Sequence, residues 1–222
     1  MSRPSRGILI LGLAVLLAVL LSFSFLSNAL AAGPNNYTKD DPAAKWSCFK
    51  KDDKGNPLVN KTTGFLTPCR IDTGDNAWML TSAALVLMMT PGGLAIFYSG
   101  LARQKNAVNT LHMVFITTGI IAIQWVLWGY SLAFGPDATG NGFIGTLDWA
   151  GLRGVLHDVP SDVYGGLGGP TIPHMTYMAF QMMFAIITPA LIVAALAERM
   201  KFSAFVIFIV LLATFVYDFC AH

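Results

Sequence analysis

The chain has 222 residues, 55% of them hydrophobic, and only 12% are Asp, Glu, Lys or Arg, where a soluble domain carries about 25%. Its 14 basic and 12 acidic residues nearly cancel, and the net charge of +2 is too small for a nucleic-acid footprint. The 15 Phe, 5 Trp and 10 Met exclude a disordered chain, which leaves an integral membrane protein as the class to test.

The N-terminus has the pattern of a secretory signal. Arg3 and Arg6 precede the leucine-rich run Ile8–Leu26, and the small residues Ala29 and Ala31 fit a cleavage site. Residues 1–32 are therefore expected to be a cleaved signal peptide, with an uncleaved anchor as the alternative. Both place residue 33 on the far side of the membrane. Residues 33–74 then form an extracytoplasmic polar segment, and residues 27–76 hold half of all the charges. Cys48 and Cys69 lie in this segment, separated by turn-forming residues. A disulfide between them is expected in an oxidising compartment. Two free thiols, or a pairing with Cys220, remain the alternatives. The four nitrogen or sulfur ligands of a zinc site are lacking, so no metal is expected.

Four apolar stretches follow. Ala77–Leu101, Ala107–Phe134, Thr171–Ala197 and Phe202–Tyr217 contain no Asp, Glu, Lys or Arg, and the last runs on to Ala221 with only Asp218 interrupting it. About 20 helical residues cross a hydrocarbon core of about 30 Å. Helices are the default because backbone groups in lipid must be paired within the segment, and the strict alternation of barrel strands is absent. The expectation is an all-α polytopic membrane protein with spans at about 77–101, 107–134, 171–197 and 202–221.

Loop charges set the orientation. Arg103 and Lys105 lie in the first short link, Arg199 and Lys201 in the second, whereas the long connection 135–173 has Arg153 as its one Lys or Arg. The short basic links are therefore expected in the cytoplasm, and residues 33–76 and 135–173 outside. Trp78, Trp125 and Trp128 fall near outer span ends, where an interfacial aromatic belt accounts for them. In the third span Phe180 and Phe184 are one helical turn apart, beside Gln181, and share a helix face toward its outer end. Two such rings can bind a small cation through their π faces, although the same spacing also serves simple packing.

Several longer strings are more specific: DNAWMLTSAALVLMMTPGG from Asp75, FYSGLARQKN from Phe97, WVLWGYSLAFG from Trp125, FQMMFAIITPALIVAALAERMKF from Phe180, and VYDFCAH from Val216. From Asp75 onward, about two thirds of the chain, the sequence closely resembles the N-terminal part of ammonium transporters of the Amt/Mep/Rh family. The resemblance implies residues 75–222 as a truncated ammonium transporter domain, comprising about four helices of an eleven-helix fold. It also implies a homotrimer with a pore in each subunit, ammonium or ammonia as substrate in nitrogen uptake, an inner (plasma) membrane location, and a PII-type regulator on the cytoplasmic face. No cofactor is implied.

By the same resemblance, Phe180 belongs to an outer recruitment site and Phe184 to an outer gate. The family's recruitment tryptophan, its functionally important aspartate and both pore histidines lie beyond position 222. His112, His157, His174 and His222 match neither pore histidine, so these residues alone are expected to be an inactive fragment. An ammonium-sensing receptor module on the same fold is the alternative. Neither a nucleophile–base pair, nor a metal cluster, nor a phosphate-binding glycine loop points to an enzyme.

Overall fold

The computed structural model describes residues 69–138, 140, 142–161 and 170–222. The signal peptide, Cys48 and most of the polar segment lie outside the described residues. So does the glycine tract 165–169.

Four long helices account for most of what is described, and no strand occurs among the described residues. They are α1 (Thr73–Leu101), α2 (Gln104–Phe134), α3 (His174–Leu196) and α4 (Phe202–Ala221), each long and apolar enough to cross a membrane. The chain is an all-α membrane protein. The start of α1 follows from Asp72, whose Oδ1 accepts hydrogen bonds from the N–H groups of Gly74 and Asp75 at 2.8 and 3.1 Å. This satisfies two of the donors that a helix start leaves open. The helix therefore begins four residues earlier than the apolar run alone suggests.

Three of the four helices contain a wider, π-type turn: Met89–Leu94 in α1, Trp125–Gly129 in α2 and Ala213–Tyr217 in α4. In α1 the cause is visible, since Pro91 cannot donate to the preceding turn. Central α2 is the best-buried helix. Thr110, Met113, Val114, Thr117, Ile121 and Gln124 recur every three or four residues along its buried face, the period of an amphipathic helix. Thr110 and Thr117 return their hydroxyls to the carbonyls of Asn106 and Met113, so neither leaves a polar group bare in apolar surroundings. Phe205, Ile209 and Ala213 form the matching buried row on α4.

Packing places α2 against α1, α3 and α4, while α1 also lies along α3. Polar bonds tie α1 to α3 at both ends. Near the long connection, Thr171 Oγ1 donates to Asp75 at 2.6 Å and Thr176 Oγ1 donates to Asn76 at 2.8 Å. At the opposite, basic end, Tyr98 donates to the Leu191 carbonyl at 2.9 Å. Large apolar side chains line the outer faces, among them Leu85, Ile96, Phe97, Leu191 and Phe215.

Candidate functional site

The end of the bundle near residues 135–161 is closed by a folded cap. Gly135 and Gly145 lie so close to the last turn of α2 that an added Cβ would stand 2.2 and 2.5 Å from the Ser131 carbonyl oxygen. Only glycine fits there. Ser131 Oγ donates to the Thr146 carbonyl at 2.8 Å and accepts from the Trp149 N–H at 2.9 Å. The cap then supplies the start of α3. Pro173 brings no side-chain cap. Instead, the N–H groups of His174 and Met175 donate to the carbonyls of Val159 and Leu156 at 3.2 and 2.9 Å, which satisfies the helix start from outside.

Beneath the cap lies a buried aromatic cluster. Tyr130 stacks on Trp149 with ring centroids 5.5 Å apart, His174 meets the Trp149 ring at 4.6 Å, and the Tyr130 hydroxyl hydrogen-bonds His174 Nε2 at 2.8 Å. Trp125 packs against Tyr130, Phe134 and Tyr217 and is 0% exposed. It is a core residue, which corrects the interfacial reading of this tryptophan. Trp78 is 72% exposed on α1. Trp128 is half-buried and donates to Thr214 at 3.1 Å. His174, the first residue of α3, is enclosed by these rings.

Phe180 and Phe184 follow on α3, about 9 and 15 Å from its start at 1.5 Å per residue. Their rings meet edge to face with centroids 5.1 Å apart, a favourable arrangement of ring quadrupoles. Phe180 is half-buried, and Phe184 is 38% exposed. The neighbouring Gln181 shares a side-chain hydrogen bond with Tyr177, whose ring lies edge-on to Phe134. One turn below, Thr188 donates to the Phe184 carbonyl at 2.9 Å. Pro189 cannot donate to the Ala185 carbonyl, so the backbone under Phe184 is less tightly bonded than the rest of α3. The pair thus presents one half-buried ring and one more exposed ring, a shape that can accept a small cation on its π faces.

The Ammonium Transporter Family model matches residues 77–222. The chain belongs to this family. It is 49% identical over 149 residues to an ammonium transporter of Bacillus subtilis strain 168, covering 67% of this chain and 34% of that protein. An ammonium transporter of Mycobacterium tuberculosis H37Rv is 46% identical over 159 residues, with 68% and 33% covered. The crystal structure of Saccharomyces cerevisiae Mep2 superposes with a TM-score of 0.62 at 32% identity, covering 84% of this chain and 37% of that one. The chain spans about a third of the length of the curated relatives it matches.

Within this Ammonium Transporter Family chain, two further polar sites stand out. At the basic end, a cleft of about 630 Å³ is lined by Tyr98, Arg103, Lys105, Asn106, Glu198 and Arg199 among others. Glu198 accepts from the Arg103 N–H at 3.3 Å and lies 3.6 Å from Arg103 Nε. A side-chain hydrogen bond from Asn106, more than the Arg103 N–H or the charges of Arg103 and Lys105, holds its carboxyl below the usual range. The other site is the buried contact of Gln124 on α2 with Asp218 on α4, at 2.8 Å. Sequence reading missed it, although Asp218 as the lone charge of its stretch was the available signal. Among the described residues no three His, Cys, Asp or Glu side chains gather in a way that could hold a metal. Cys69 is disulfide-bonded, while Cys48 lies outside the described residues. Cys220 is free and exposed.

Proposed function

We propose that the protein moves ammonium across the membrane, and that Phe180 and Phe184 form its outer cation site, with Phe180 in recruitment and Phe184 as a gate ring. The observation that carries this reading is the edge-to-face ring pair with one ring open, set on the family's most specific sequence string. Transport of this kind needs no covalent chemistry. The ring faces replace part of the cation's hydration, and the half-buried Phe180 lies edge to face against the more exposed Phe184.

The same reading puts the basic links in the cytoplasm and residues 33–76 and 135–173 outside an inner (plasma) membrane. The working unit is a homotrimer serving nitrogen uptake, with a PII-type regulator at the basic face, and a Cys48–Cys69 disulfide closes the polar segment. The charge distribution over the links and the family resemblance support these points.

Uptake of the analogue methylammonium by the full-length protein tests the cation site. Losing one ring face worth about 0.5–2 kcal/mol is equivalent to about a two- to thirty-fold weaker cation affinity. Phe184→Ala and Phe180→Ala are expected to raise the half-saturating concentration by that range. Phe215→Ala, on an exposed face of α4, is expected to leave it unchanged. Equal effects at all three positions would remove the site assignment.

A further inference from the structure

Asp218 lies one residue past the π-type turn of α4 and is 0% exposed. Its Oδ2 accepts a 2.8 Å hydrogen bond from Nε2 of Gln124, which immediately precedes the π-type turn of α2 and is 3% exposed. The same Nε2 lies 3.4 Å from Thr214 Oγ1, the atom that also accepts from Trp128 Nε1. The remaining oxygen of each group, Asp218 Oδ1 and Gln124 Oε1, is buried and has no hydrogen-bond partner. Nor does any Lys or Arg among the described residues form an ion pair with Asp218.

Ionised, Asp218 would thus combine two buried orphan acceptors with an uncompensated charge inside a membrane span, the costliest arrangement for a carboxyl group. A single proton on Oδ1 resolves all three problems. The acid O–H would then donate to Gln124 Oε1 while the amide N–H donates to Asp218 Oδ2, and the two groups would close a neutral two-bond ring. We propose that Gln124 and Asp218 form a proton-binding site between α2 and α4, in which Asp218 is the neutral acid and Gln124 its complementary amide.

The local backbone makes room for this site. A Cβ at Gly129 would stand 2.7 Å from Nε2 and 2.8 Å from Oε1 of Gln124, so the carboxamide occupies space that any other residue at 129 would fill. The adjoining π-type turns are the sort of irregularity that recurs at functional sites. The titratable side chains at this end of the helices are Asp75 on α1, Tyr130 on α2, His174 and Tyr177 on α3, Tyr217 and Cys220 on α4, and His222 just after it. Four of these are engaged elsewhere: His174 and Tyr130 bond each other, Tyr177 bonds Gln181, and His222 Nδ1 lies 3.1 Å from the Ala133 carbonyl oxygen. The site rests on this geometry and not on ammonium transport.

Infrared spectroscopy of the full-length protein in lipid nanodiscs tests it. Near neutral pH the wild type is expected to show the carbonyl band of a protonated carboxylic acid, shifting down in D2O. Asp218→Asn should remove that band. Gln124→Leu should keep it but move it to higher frequency, because the carbonyl loses its donor. Asp218→Asn, which presents an N–H donor and an oxygen acceptor to Gln124 as the neutral acid does, is expected to melt closer to the wild type than Asp218→Leu. The proposal is overturned if the wild type lacks the band, if the band persists unmoved in every variant that folds, or if Asp218→Asn melts as low as Asp218→Leu.

Discussion

Gly129 shows how much a single missing methyl group can decide. It sits where α2 turns past Gln124, and the carboxamide fills the volume a side chain would need. Gly129→Ala forces an overpacked contact between the new methyl group and the buried carboxamide of Gln124, and such insertions cost about 1–3 kcal/mol. Gly100 on α1 has nothing within 4 Å of an added Cβ, so Gly100→Ala is expected to be neutral or slightly stabilising, as alanine is the better helix former. Thermal unfolding of the two variants in the same detergent checks the contrast, and equal melting temperatures would contradict the role assigned to Gly129. Little of this is visible in the sequence. Gln124 and Asp218 are 94 positions apart, and each looks like an isolated polar residue in an apolar run. Trp125 and Trp128 both lie in the last third of α2, yet one is enclosed by three aromatic rings and the other reaches Thr214. Hydropathy reports how apolar a residue is, not which neighbour covers it. Phe180 and Phe184 were legible because their spacing alone puts them on one face, and a helix turn brings the rings together wherever the helix sits.

At the scale of helices and links, the lengths of the four rods follow from unbroken apolar runs, and capping moves the ends by a few residues. The π-type turns do not follow. Only the one in α1 has a proline to announce it, while Trp125–Gly129 and Ala213–Tyr217 arise where two helices share a buried polar contact. The link after α3 is a second case of tertiary override. Glu198 adopts φ of 69°, the left-handed conformation that glycine usually supplies after a helix. Its carboxylate explains why a side chain is kept there, since it bonds Asn106 and the Arg103 N–H across the two basic links. Because the folded group titrates below its ordinary range, the tie is fully present above that range and is lost as pH falls through the lowered value. Limited proteolysis of the link at residues 102–106 is therefore expected to accelerate at acid pH in the wild type. Glu198→Gln should show the faster rate already at neutral pH and little further change on acidification. A variant profile that tracks the wild type would rule out Glu198 as the titrating clasp.

At the scale of the whole molecule, the two ends of the bundle are built differently, and this asymmetry gives the orientation a physical test. One end carries a cap folded tightly onto α2 and α3, with Trp149 beneath it and Leu147 exposed on it. The other end carries Arg103, Lys105, Arg199 and Lys201 in two short links, which the positive-inside bias assigns to the cytoplasm. All the outer cation chemistry proposed for Phe180 and Phe184 depends on this assignment, since α3 runs from the cap toward the basic links. In a Cys220→Ser background, which removes the exposed free thiol, Leu147→Cys is expected to react with a membrane-impermeant maleimide in intact cells. Lys105→Cys should react only after the cells are permeabilised. The reverse pattern would turn the bundle over, place the ring pair nearer the cytoplasm, and make it an exit feature in place of a capture site, while leaving the buried Gln124–Asp218 contact unaffected.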